Sequence, residues 1–242
     1  FVLYQTQYFE QSLEEIIINL SKVPLFLKFI EVCPLTDIEL EKFLTALRSL
    51  ILHNRSQLTN SKENVAVLNA LALQCFVNEH IYSDNKNDKE ALQKLEGDIE
   101  KSLEQEKPPR VIDILCLATF TSINNYHWIN TFSPSGDLAQ LWKLQISNLK
   151  RETHLCTQIP TLRNITDPIS SKVAEQYEQF PYPRWIKTDK PSESYSISEA
   201  IKYGKLKVPN NKICECKRPQ VLVAGCGTGQ HAISTACYYK NC

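Results

Sequence analysis

The sequence predicts an all-helical domain followed by the start of an α/β domain, which we expect to be incomplete within the 242 residues. First, apolar side chains recur at helical spacing from Gln11 to about Leu149. Second, the run 221–223 has branched apolar side chains and no charge, which favours a strand buried on both faces. Third, glycines at 225, 227 and 229 end this run, and 230–239 then contains no proline or glycine. The C-terminal part therefore predicts a strand, a glycine loop and a helix.

Residues 1–165 form the predicted helical domain. The stretch 36–39 has the S/T-x-x-E form of a capping box that begins at Thr36, and Asn60 is the predicted cap of the next helix. Further helices are predicted over about 88–105, 111–118 and 138–149. We interpret their apolar stripes as the faces that pack into a bundle core.

Composition narrows the class of protein. The chain has 27 basic and 27 acidic residues, so its overall charge predicts neither a nucleic-acid nor a membrane partner. No apolar run approaches the ~20 residues that a membrane-spanning helix needs, which predicts a soluble protein. The nine cysteines are scattered without a disulfide-like framework, which is typical of a reducing, cytoplasmic environment.

Residues 166–190 form a predicted linker that is rich in aromatic residues and proline. Ser170 is the predicted cap of a short helix that runs through Tyr177. The stretch 177–185 then places four aromatic residues, two prolines and one arginine within nine positions. Because proline fixes the backbone, little conformational entropy would be lost if these rings closed over a ligand.

Residues 191–242 contain the glycine loop and thus the start of the predicted α/β domain. Glycine lets the backbone adopt conformations that a Cβ disfavours and lets a ligand approach the main chain, while the helix start offers unpaired N–H groups. A dinucleotide fingerprint would need its third glycine at position 230, which is glutamine. The predicted cofactor-binding residues of this loop are Gly225, Cys226, Gly227, Thr228, Gly229 and Gln230.

Two stretches carry a resemblance to a known family. The stretch 171–185, Ser-Lys-Val-Ala-Glu-Gln-Tyr-Glu-Gln-Phe-Pro-Tyr-Pro-Arg-Trp, and the stretch 221–231, Val-Leu-Val-Ala-Gly-Cys-Gly-Thr-Gly-Gln-His, resemble a bacterial family of class I S-adenosylmethionine-dependent methyltransferases. The helical stretches 44–48 and 71–79 are similar to the region that precedes the catalytic domain in that family. The resemblance implies a Rossmann-like methyltransferase domain and S-adenosyl-L-methionine as cofactor. It also implies tetratricopeptide repeats upstream, through which protein partners could bind.

The resemblance and the clustered aromatic residues suggest roles for the site. The glycine loop would accept the amino-acid end of the cofactor, and Arg184 would pair with the cofactor carboxylate. Tyr177, Tyr182 or Trp185 would lie over the sulfonium or the adenine. Alternatively, Tyr182 and Trp185 only pin the linker onto the following domain. The sequence identifies neither a catalytic base nor the methyl acceptor, and Val223 stands where many methyltransferases have an acidic residue.

Two other functions stay open on the sequence alone. One is an NAD- or FAD-dependent oxidoreductase, against which Gln230 counts. The other is a helical protein-interaction module with a vestigial nucleotide-binding fold. Cys214-x-Cys216 could in principle hold a metal together with another cysteine, but its spacing differs from that of known zinc knuckles, so we expect no metal.

The termini suggest a piece of a longer protein. The chain begins at Phe1 and contains no methionine. The acidic residue that binds the ribose hydroxyls usually follows the glycines by ~20 residues, which would place it beyond Cys242. We therefore expect the cofactor pocket to be incomplete in this chain.

Overall fold

The computed structural model describes residues 11–83, 86–160, 165–179, 181, 184–188, 190–210 and 212–242. The chain divides into two compact units, of which the first ends at Ser171 and the second begins at Lys172. Helix α9, which spans Pro168–Gln179, contains this boundary.

The first unit is built from helices. The described helices that precede α9 are α1 Leu13–Ser21, α2 Pro24–Val32, α3 Ile38–Asn54, α4 Lys62–Val77, α5 Lys86–Glu104, α6 Val111–Ala118, α7 Ala139–Trp142 and α8 Asn148–Cys156. Short 3-10 turns lie at Arg55–Gln57, Ile123–Asn125, His127–Asn130 and Gly136–Leu138. Among the described helices, none combines the length and the hydropathy needed to cross a bilayer.

Helix α4 is the centre of the core. Its residues from Ala70 to Val77 are all buried, and it packs against α1, α2 and α6. A helix that is covered on every side needs apolar residues all round instead of on one stripe. Leu68, Leu71 and Leu73, which project in different directions, are accordingly fully buried.

The predicted helix caps are wrong by a few residues. The sequence pattern predicts them at Thr36, Asn60 and Ser170, and the structure has them at Asp37, Ser61 and Asp167. The reason is geometric, because the cap is the residue whose side chain reaches the amide three positions ahead. Asp37 Oδ1 accepts from Leu40 N at 2.7 Å, whereas Asn60 Oδ1 accepts from Ile112 N at 3.4 Å and so ties the start of α4 to α6.

A charged side chain lies within this core. Arg48 on α3 is 1% exposed, and its guanidinium carbon lies 4.3 Å from the ring centroid of Phe120 and 5.1 Å from that of Tyr82. Its Nη1 donates to Thr119 O at 3.2 Å and its Nη2 to Ser83 O at 3.3 Å. The buried charge is therefore solvated by carbonyl oxygens and aromatic faces in place of water.

Three helices end in a Schellman motif whose left-handed residue is charged. These residues are Glu79, Glu106 and Lys205, with φ of 53°, 56° and 50°. After α5, for example, Lys107 N donates to Ser102 O at 2.9 Å and Glu106 N to Leu103 O at 3.0 Å. Glycine usually occupies this position because a Cβ makes the left-handed region costly.

The helix predicted over 138–149 contains an irregularity. Between α7 and α8, Lys143–Ser147 forms a π-helical turn, so that the helical path continues to Cys156. Gln145 in this turn is fully buried, and its Oε1 accepts from Ile123 N at 2.9 Å. The wider turn thus accompanies a side chain that satisfies a buried backbone amide in the neighbouring 3-10 segment.

The second unit corrects the predicted α/β fold. Its described helices after α9 are α10 Ile197–Tyr203, α11 Lys212–Glu215 and α12 Gln230–Tyr238. The described residues contain no strand or sheet, so the prediction of a Rossmann-like domain within this chain is wrong. Val221 is 44% exposed and Leu222 is 90% exposed, where a buried strand was predicted. The physical reason is that a strand is stabilised by its neighbours, and the only bridge among the described residues is an isolated parallel one between Tyr195 and Tyr239.

Candidate functional site

The glycine loop lies directly before helix α12. Gly225, Gly227 and Gly229 have φ of +67°, +53° and +83°, all in the left-handed region that favours glycine. Cys226 is exposed, and Thr228 is half-buried. Gly229 N donates to Cys226 O at 2.9 Å, and Gly229 O accepts from Ile233 N at 3.0 Å, so the loop turns straight into the first turn of the helix.

The loop is open around its glycines. A Cβ built on any of the three would meet no heavy atom within 4 Å. The need for glycine at these positions is therefore explained by the left-handed backbone and not by crowding from neighbouring groups. This leaves room for a ligand atom next to the main chain, at a helix start whose N–H groups favour a negative charge.

Of the predicted aromatic residues, Trp185 contacts the loop. Its side chain is half-buried, and its Nε1 donates to Thr228 O at 3.1 Å. Arg184 beside it is also half-buried, while Tyr177 at the end of α9 is 72% exposed. Tyr182 lies outside the described residues. The structure thus brings Trp185, though not Tyr177, into hydrogen-bond contact with the glycine loop.

The segment after Trp185 also holds the other end of α12. Ser194 Oγ donates to Cys237 O at 2.7 Å, Tyr195 N donates to Tyr238 O at 2.8 Å, and Lys240 N donates to Tyr195 O at 2.9 Å. We call residues 185–188 and 190–195 the strap. The strap is therefore hydrogen-bonded near both ends of α12, through Trp185 before the helix and through Ser194 and Tyr195 at its C-terminal end.

An ion pair links the residues that follow α12 to helix α10. Lys240 Nζ lies 3.2 Å from Glu199 Oε2, and the Ser196 amide donates to the same oxygen at 2.7 Å in the capping box of α10. No sequence pattern predicted that Ser194, Tyr195, Glu199 and Lys240 lie in these contacts. The S-x-x-E pattern from Ser196 to Glu199 is the signal that would have located α10.

Two other places in the chain were considered as sites: the Cys214-x-Cys216 pair and a groove in the first unit. Within the part of the chain that the structure describes, no three histidine, cysteine or acidic residues come together as a group that could hold a metal ion. Cys214 is half-buried and Cys216 is exposed, and both thiols are free. A groove of about 500 Å³ lies in the first unit, where Leu13, Ile18 and Leu58 contribute to its lining. None of its lining residues belongs to the glycine loop.

Comparison with known proteins adds no relative. No family model, no curated protein and no solved structure matches this chain.

Proposed function

We propose that this chain binds S-adenosylmethionine at the glycine loop and is part of an S-adenosylmethionine-dependent methyltransferase. The observation that carries the proposal is the hydrogen bond from Trp185 Nε1 to Thr228 O. It joins the two stretches that resemble the methyltransferase family, which lie about 40 residues apart in sequence. Two motifs of one family that meet in space form a more specific pattern than either motif alone.

The chemistry of the loop fits the amino-acid end of this cofactor. Its carboxylate needs N–H donors, and the amides at the start of α12 supply such donors next to the three left-handed glycines. Arg184, adjacent to Trp185, is the candidate for an additional charge-assisted bond to that carboxylate. The open space beside each glycine permits the close approach that this mode of binding requires.

In methyl transfer, the main contribution of the protein would be to position the donor and the acceptor. When bound, S-adenosylmethionine would supply an electrophilic methyl group, with the sulfur as the leaving group as the acceptor forms its bond to the methyl carbon. The residues of the chain would contribute by fixing the donor in line with the acceptor. The indole N–H of Trp185 is bonded to the loop itself, so we assign Trp185 to positioning the loop, which favours the pinning role over a position above the sulfonium.

A second candidate function is a helical protein-interaction module that binds no cofactor. The observation in its favour is that the described residues form helices without a sheet, and that Leu222 is 90% exposed. An exposed large apolar side chain is compatible with a surface that a partner covers. A dinucleotide-dependent oxidoreductase is less compatible, because the third glycine of its fingerprint would coincide with Gln230, the first residue of α12.

Calorimetric titration of the full-length protein with S-adenosylmethionine and, separately, with NAD distinguishes these functions. We expect binding of S-adenosylmethionine only, and a large loss of that binding in Gly227→Ala. Gly97→Ala in α5 is the matched control, because Gly97 has open space around its Cβ position but no left-handed backbone. Binding of NAD alone would indicate the oxidoreductase, and binding of neither compound would indicate the interaction module.

A further inference from the structure

The end of helix α10 forms an exposed turn that is both basic and apolar. We call residues 202–207 the basic turn. Its three lysines, Lys202, Lys205 and Lys207, are all exposed, and Tyr203 and Leu206 are 75% and 62% exposed. Among the described residues, none of the three lysines forms an ion pair with a carboxylate. Charge and large apolar surface are therefore presented to solvent together.

The backbone of the basic turn is fixed. Leu206 N donates to Ile201 O at 3.0 Å and Lys205 N to Lys202 O at 3.3 Å, which is the Schellman pattern. A Cβ on Gly204 would lie 3.0 Å from Ala200 O and 3.3 Å from Leu206 Cγ, so Leu206 lies close to the backbone of the turn. The exposed leucine and the lysines on either side of it thus belong to one preformed structure.

The charge of the whole chain conceals a difference between its units. Residues 172–242 contain 11 basic and 6 acidic residues, and the preceding residues carry the compensating excess of acidic groups. The sequence-based expectation of no membrane partner relied on the cancellation over the whole chain. For the second unit taken by itself, the net charge is clearly positive.

We propose that the basic turn docks the second unit onto an anionic phospholipid membrane. Lysines near an anionic membrane surface are attracted to its headgroups, and a tyrosine favours the headgroup level. The leucine would enter the boundary between headgroups and acyl chains. Single-stranded nucleic acid is less compatible, because its binding grooves stack several bases on aromatic rings, and the turn has one ring and no arginine. The proposal does not depend on cofactor binding.

Sedimentation with vesicles tests the proposal. We expect the 242-residue chain to bind vesicles of phosphatidylcholine mixed with phosphatidylserine, not vesicles of phosphatidylcholine alone, and to dissociate as salt is added. The triple variant Lys202→Gln, Lys205→Gln, Lys207→Gln should lose about a hundredfold in affinity, since each lysine contributes about fivefold. Leu206→Ser should weaken binding although every lysine remains.

The matched control is Lys89→Gln, Lys94→Gln, Lys101→Gln. These lysines are exposed on α5 in the first unit, and their replacement changes the net charge of the chain equally. We expect this variant to bind like the original chain. An original chain that does not bind mixed vesicles, a basic-turn triple variant that keeps its affinity, or an equal loss in the control would overturn the proposal. Tight binding to polyuridylate without vesicle binding would overturn it in favour of RNA.

Discussion

Trp185 Nε1 lies 3.1 Å from Thr228 O, so a side chain in the stretch 171–185 is hydrogen-bonded to the backbone of the stretch 221–231. The bond uses the only polar atom of the indole, and it fixes a carbonyl between two left-handed glycines. Replacement of Trp185 by Phe keeps a ring at this position and removes the donor.

We expect Trp185→Phe to loosen the glycine loop. A typical intramolecular hydrogen bond contributes about 1 kcal/mol, which corresponds to roughly fivefold faster exchange of the amides that this bond protects. Hydrogen exchange of residues 225–231 measures the effect. Trp142→Phe in the first unit is the control and should leave the loop unchanged. Equal exchange rates in Trp185→Phe and the original chain would show that the bond does not order the loop.

We expect opposite effects from alanine at two glycines. Gly227→Ala should lower the free energy of unfolding by ~1–2 kcal/mol, because its φ of +53° is costly for a residue with a Cβ. Gly97→Ala should raise it by ~0.5–1 kcal/mol, because Gly97 lies inside α5 and its Cβ position is open. Urea denaturation of both variants measures the difference. A loss of similar size at both positions would contradict the conformational explanation.

We expect Glu106→Gly to stabilise the chain by about 1 kcal/mol. Glu106 has a φ of +56° after the C-terminal end of α5, where glycine adopts the same backbone without a penalty and where a negative charge opposes the helix dipole. Thermal denaturation measures the change. Glu100→Gly is the control, because Glu100 is exposed inside α5 and its replacement should lower the free energy of unfolding by about 1 kcal/mol. Destabilisation by Glu106→Gly would refute the assignment of strain to this residue.

We expect the second unit to lose stability in acid through Glu199. Hydrogen bonds from the Ser196 amide and hydroxyl, together with Lys240, lower the pKa of Glu199 from 4.5 to about 2. A lowered carboxyl pKa contributes stability that is complete above pH 4.5 and is lost as the pH falls from 4.5 to about 2. Denaturation of the original chain and of Glu199→Gln across this range measures the contribution.

The variant Glu199→Gln should show a weaker dependence on pH in that range, because amide replacement removes the titrating group. Glu193→Gln, at an exposed glutamate earlier in the same unit, should keep the original dependence. If Glu199→Gln and the original chain have the same pH profile, the capping contact does not couple protonation to folding.

Helix periodicity located much of the first unit. The helix predicted over 111–118 coincides with α6, and the stripes predicted from Thr36 onward belong to α3. Arg48 was not predicted to be buried, because its stabilisation comes from carbonyl groups and rings that are distant in sequence. Long-range contacts of this kind leave no local pattern for a sequence reading to detect.

In the C-terminal part, local backbone features were predicted correctly and features that depend on distant residues were not. The three glycines and the helix after them were located from the sequence, because each is a local property of the backbone. The prediction of a strand over 221–223 was wrong, because a strand needs neighbouring strands to pair with. The apolar side chains of 221–223 do not by themselves supply such neighbours. The strap was missed for the same reason, since its contacts join Ser194 and Tyr195 to residues some 43 positions away.

The π-helical turn at Lys143–Ser147 has a consequence for how this helical path can evolve. A π-turn holds one residue more than the α-turn it replaces, and each residue of an α-helix advances the side chains by about 100°. Deletion of one residue here would restore regular winding, yet it would withdraw Gln145 from the amide of Ile123. The rest of the path as far as Cys156 would keep its orientation, so the helix can change length at this point without rotating its C-terminal turns.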